Sequence, residues 1–154
     1  MLRMALVAAS LAVCAPAIAA DPPFDHVSCK GGENEVRVTI VGVKKSVGLM
    51  TSELYRNEPD NFLSKRGREF RVRFAAAAPA TRFCIYAKSP GTYALVAYHD
   101  RNANMKFDRN AIGLPSEPYG VSNNPKIRLA PPHISKTVFD VPPEGVSIEI
   151  DLNH

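Results

Sequence analysis

The chain has 154 residues, 45% of them hydrophobic and 22% charged, which is enough apolar material for one domain with a core of its own and too little length for a second. Its 19 Lys and Arg stand against 15 Asp and Glu for a formal net charge of +4, and the cations are scattered. A nucleic-acid surface needs a dense basic face, so DNA and RNA are excluded as natural partners.

Residues 1–20, MLRMALVAASLAVCAPAIAA, carry one early cation at Arg3, an apolar run from Met4 to Val13 and a small-residue end. This is the layout of a signal peptide cut after Ala19 or Ala20. The run meets Pro16 well before the roughly 20 apolar residues that a spanning helix needs, so no transmembrane helix is expected after processing. The protein is therefore expected to be exported, to the periplasm or outside the cell. The alternative is a lipid anchor at Cys14, although Val13 precedes that cysteine where a small residue is usual.

Residues 21–34 are rich in Pro and Gly and read as an irregular lead-in, and residues 35–154 read as one β domain. Cys29 and Cys84 remain after processing, and export favours a disulfide between them. Two separate buried thiols are the alternative. Glu35 to Val43 alternates, with Val36, Val38 and Ile40 on one face and Arg37 and Thr39 on the other, which predicts the first strand. Leu49 to Arg56 returns as the second, and 57–67 is loop.

Glu69 to Ala75 is the third strand, with Phe70, Val72 and Phe74 on one face. The surrounding run from Lys65 to Phe74 alternates cations with apolar residues, as the solvated face of a half-buried strand requires. Contact with anionic lipid or polysaccharide is the other use of such a face. Arg82 to Ala87 is the fourth strand, and the Ser89-Pro90-Gly91 turn feeds an apolar fifth, Thr92 to His99, which reads as buried on both faces. Lys126 to Leu129, Ser135 to Val141 and Val146 to Leu152 follow. About seven short strands without a helix predict an all-β fold, an antiparallel two-sheet sandwich, with a small open barrel as the alternative.

Between the fifth strand and Asn124 lies a long polar loop. Asp100, Asn102 and Asn104 place oxygen-bearing side chains at alternate positions and Asp108 follows, a set able to curl around a hard cation such as calcium. Arg101, Lys106 and Arg109 dilute the negative charge, so calcium would be held weakly, at about 10⁻⁴ to 10⁻³ M. Asp and Asn side chains also bind nearby backbone amides and shape loops without any ion. No other cofactor is indicated.

The ordered matches Gly91-Thr92-Tyr93-Ala94, His99-Asp100-x-Asn102-x-Asn104, Lys106-Phe107-Asp108, Gly113-Leu114-Pro115-x-Glu117-Pro118-Tyr119-Gly120 and Ser122-Asn123-Asn124 make the chain resemble a family of secreted bacterial proteins, domain-of-unknown-function family 2141. Thr137 to Val141 extends the likeness over most of the mature chain. Arg101, Ala103 and Met105 depart from the acid and glycines that the family tends to have there. The resemblance implies export and an immunoglobulin-like or prealbumin-like β-sandwich, and it brings no established activity.

Two classes of function are open to such a chain. A hydrolase would have to assemble His99, Glu117 and Ser122, yet no nucleophile elbow or zinc signature accompanies them. A binding or structural module of the cell envelope needs only a presented surface, for which His99, Glu117, Tyr119, Ser122, Asn123 and Asn124 are the candidates. The expectation is therefore a module and not an enzyme, its partner an envelope component or extracellular ligand.

Overall fold

The computed structural model describes residues 29–127 and 130–152. Residues 1–28, where the signal peptide, the alternative anchor at Cys14 and most of the lead-in are expected, lie outside the described residues. Eight strands run in chain order through β1 (Glu35–Val41), β2 (Leu49–Arg56), β3 (Arg68–Ala75), β4 (Ala80–Tyr86), β5 (Gly91–Asp100), β6 (Tyr119–Val121), β7 (Val138–Val141) and β8 (Val146–Asp151). They form a three-stranded sheet, β4-β1-β8, and a five-stranded sheet, β3-β2-β5-β6, in which β7 also pairs with β5. The fold is the all-β, two-sheet sandwich that the alternation predicts.

Alternation decides which faces meet. Val36, Val38 and Ile40 of β1, Phe83 and Ile85 of β4 and Ile150 of β8 turn inward, against Met50, Leu54, Phe74, Tyr93, Leu95 and Ala97 of the larger sheet. All are essentially inaccessible to water. Phe74 and Phe83 join the sheets with ring centroids 4.8 Å apart. Cys29 and Cys84 stand at disulfide distance, with Cα atoms 5.2 Å apart and 55 residues between them in sequence. Closing a loop of that length contributes about 4 kcal/mol in the chain-entropy description.

Three details differ from the linear reading. Not every pair is antiparallel: β8 lies parallel to β1, because the chain crosses from one sheet to the other at the turn Pro142–Gly145, and alternation reports a strand's face but not its direction. Tyr119–Val121, in the polar loop, is a strand, and Lys126 and Ile127 are not, while residues 128 and 129 are outside the described residues. Ser135–Val141 divides into a 3-10 turn at Ile134–Lys136 and β7.

β5 is the central strand. One edge pairs with β2 along its length, and the other is shared by β7 at Gly91–Ala94 and β6 at Val96–Tyr98. The inner face of β5 is covered by the core, and its outer face is covered in part by the loop that follows it.

Candidate functional site

The loop from Arg101 to Pro118 is organised by its acids and amides. Asp100, wholly buried, accepts the amides of Asn104 at 3.1 Å and Met105 at 2.7 Å on its two oxygens. Asn102 Oδ1 accepts the Asn104 amide and Asn104 Oδ1 that of Lys106, the local bonding by which Asx side chains fix tight turns. Both side-chain amides then donate to Asp108 Oδ2, at 2.8 and 2.9 Å, and these bonds, that of Asn104 first, hold the Asp108 carboxyl below its ordinary range. The structure thus brings the four expected cation ligands together and engages each of them in this network.

Glu117 closes the loop's base. Its oxygens accept the amides of Arg101 and Asp108, each at 3.2 Å. Burial, with some help from the nearby Asp100 and Asp108 charges, pushes its carboxyl up in spite of those two bonds.

His99, Ser122, Asn123 and Asn124 are likewise engaged by backbone. His99 Nε2 lies 2.6 Å from the Val47 carbonyl, and since a carbonyl only accepts, Nε2 carries a proton. The Ser122 hydroxyl donates to the Thr137 carbonyl and accepts from the Leu95 amide at 2.9 Å. Asn123 and Asn124 take left-handed φ values of 64° and 46°, which Asn tolerates better than most residues. Asn123 reaches the Val138 carbonyl, and Asn124 binds the Glu149 carbonyl and the Asp151 amide, tying the end of β6 to β7 and β8. No hydrogen bond joins His99, Glu117 and Ser122 to one another among the described residues.

Of the expected contact residues, Tyr119 lines a cleft. The outer face of the larger sheet, the 57–67 loop, the 101–118 loop and residues 130–132 enclose a cleft of about 490 Å³, within the range of small-molecule sites. Tyr98, Val96 and Val121 form its floor, while Phe107 packs on Tyr98 and Tyr119 at centroid distances of 5.1 and 5.6 Å. Arg109 lies 5.4 Å over the Phe107 ring, so the loop is pinned to the sheet through an aromatic cluster. Burial pushes the Tyr119 hydroxyl up.

Among the described residues, five cations line the cleft, Lys65, Arg68, Arg71, Lys106 and Arg109, against the carboxylate of Glu53. Glu53 is 8% exposed and is shared by Arg68, at 3.0 Å, Arg71 and the Tyr55 hydroxyl. A bulge in the β2–β3 pairing at Leu54 and Tyr55 allows this. Strict alternation would send residues 68 and 71 to opposite faces, and the extra residue returns Arg68 to the side of Arg71.

Sequence reasoning missed most of this cleft. The signals were present in the cationic side of Lys65–Phe74, in Tyr98 and Tyr119, and in the lone aromatic Phe107 within a polar loop. What brings them together is strand order, which no local pattern encodes.

Among the described residues, one group of possible metal-ligating atoms converges within 4.8 Å, that of Cys29, Glu35 and Cys84. Its two sulfurs are bonded to each other, and Glu35 already accepts from the Lys30 and Gly31 amides, Tyr86 and Arg37, so the group has no free ligand pair. Among the described residues no helix is long and apolar enough to cross a membrane.

The family model described as "Uncharacterized protein conserved in bacteria (DUF2141)" matches residues 38–149, well over half of the chain. The chain belongs to that family. No curated protein and no solved structure matches it.

Proposed function

We propose that this member of domain-of-unknown-function family 2141 is an exported binding module of the cell envelope, and that its ligand sits in the cleft on the outer face of the larger sheet. The observation that carries the reading is the cleft itself, about 490 Å³ with an aromatic floor and a cationic wall. A β-sheet that needs only to fold would present alternating polar residues to water on that face; here the loop folds over the sheet and leaves a concavity.

The Asp/Asn loop is architecture in this account, holding Phe107 against the sheet and Lys106 at the cleft. Hydrolysis is disfavoured because His99, Glu117 and Ser122 are each bonded to separate backbone groups, and a nucleophile must be within reach of its base. Export rests on the N-terminal pattern and on the cysteine pair, which suits an oxidising compartment.

Native mass spectrometry of protein recovered after export checks the reading. A one-to-one small-molecule adduct is expected on the parent and is expected to be lost from Val96→Trp, which fills the cleft floor. Protein recovered without an adduct, or an adduct that the variant retains, would contradict it.

A further inference from the structure

The composition of the cleft wall specifies the chemical class of its ligand. We infer that the cleft takes an anionic amphiphile, a molecule with a phosphate or carboxylate head and an apolar body; this rests on the binding-module reading above.

The head is assigned by charge. Lys65 and Lys106 are exposed and form no ion pair among the described residues, and Arg68 and Arg71 divide one carboxylate between them. Two guanidiniums on one Glu53 leave donor capacity and positive charge unmatched, and guanidinium forks bind the oxygens of phosphate and carboxylate groups in pairs. A neutral ligand would leave this excess unanswered in a partly dehydrated concavity, where charge interactions are stronger than in water.

The body is assigned by the rest of the lining. Val96, Phe107, Leu114, Val121, Pro131 and Pro132 present carbon to the cleft, which a bare inorganic anion would not use. At the rim Leu63 and Met105 are 43% and 61% exposed, unfavourable for side chains of their size in water and favourable against the tail of a bound amphiphile. Each is a near neighbour in sequence of a cation that also lines the cleft, Leu63 of Lys65 and Met105 of Lys106, so the lining offers apolar and cationic side chains from the same short segments.

The class is tested by calorimetric titration of the exported protein, stripped of adduct, with decyl phosphate, decanoate, decyl maltoside and inorganic phosphate, each below its micellar concentration. The two decyl anions are expected to bind one-to-one, decyl maltoside at least about tenfold more weakly, and inorganic phosphate not measurably. In the Lys65→Glu, Lys106→Glu double variant, whose parent lysine side chains make no hydrogen bond or ion pair among the described residues beyond the longer-range attraction of Lys106 to Asp108, affinity for the decyl anions is expected to fall by about tenfold or more while that for the maltoside is unchanged. A preference for decyl phosphate over decanoate would identify a phosphate-type head, and the reverse a fatty-acid-type one, both within the class. Equal binding of decyl maltoside, or inorganic phosphate binding as tightly as decyl phosphate, would overturn the inference. So would a failure of both decyl anions to bind. In each of these cases the binding-module reading is judged separately, by whether Val96→Trp removes the adduct carried by the exported protein.

Discussion

Asp100 spends both carboxylate oxygens on the amides of Asn104 and Met105. Asp100→Ala would take away the acceptor of the Met105 amide and one of the two acceptors of the Asn104 amide, which keeps Asn102 Oδ1; at about 1 kcal/mol for hydrogen bonds of this kind, a melting temperature lowered by a few degrees is expected. Because the same oxygens that would ligate a cation already hold amides, millimolar calcium is expected to leave the parent's melting temperature unchanged; a calcium-dependent rise in the parent alone would show a cation site. Glu35 makes a prediction of opposite kind to Glu117. Burial raises the Glu35 carboxyl, but bonds from Tyr86, Arg37 and the Lys30 and Gly31 amides outweigh it and hold it below the ordinary 4.5. Its contribution is therefore present above about that pH and lost as pH falls through the lowered folded value. Glu117, pushed up, works the other way, costing stability as pH rises from its ordinary value through its raised one. Thermal melts between pH 7 and 3 should show a shallower acid loss in Glu35→Gln than in the parent and a steeper one in Glu117→Gln. At this scale the sequence disclosed residue chemistry better than residue employment. The clustering of Asp100, Asn102, Asn104 and Asp108 was legible from spacing, whereas their amide partners depend on turns that include left-handed residues at Ala103 and Met105, φ 57° and 62°, which neither side chain announces.

β6 is the shortest strand and the one that joins the two sheets at the site. A Cβ on Gly120 would come within 2.4 Å of the Asp151 carbonyl and 2.7 Å of Ile150 Cγ2, so only glycine lets β6 lie this close to β8. Gly120→Ala is expected to destabilise by about 1–3 kcal/mol, as overpacking in a tight interior does, and because Tyr119 and Val121 flank it in the cleft, the variant should also bind its adduct less well. Chemical denaturation and adduct mass on the same preparation measure both. The long strands were readable because Val36, Val38 and Ile40, or Phe83 and Ile85, repeat every second residue beside turn residues. β6 was not, since three residues within a Gly, Pro and Asn-rich segment carry no measurable period. The bulge that brings Arg68 beside Arg71 was hidden for a related reason, because it arises in the pairing of β3 with β2 and leaves no trace within β3 itself.

For the whole molecule, the sandwich explains why the cleft lies where it does. The three-stranded sheet covers one face of the larger sheet with the core, and the loop after β5 covers part of the other, leaving Tyr98, Val96 and the Glu53 cluster at the bottom of a walled concavity. Electrostatics follow the same division: among the described residues the cleft gathers five cations, although the overall charge is only +4, so the excess is local rather than general. The most direct measurement is a comparison of backbone amide spectra of the protein carrying the proposed adduct and after the adduct has been extracted. Shifts confined to Val96, Tyr98, Lys106, Phe107, Tyr119 and Val121 are the predicted result; shifts centred on His99, Ser122, Asn123 and Asn124, with the cleft unchanged, would contradict the assignment of the site.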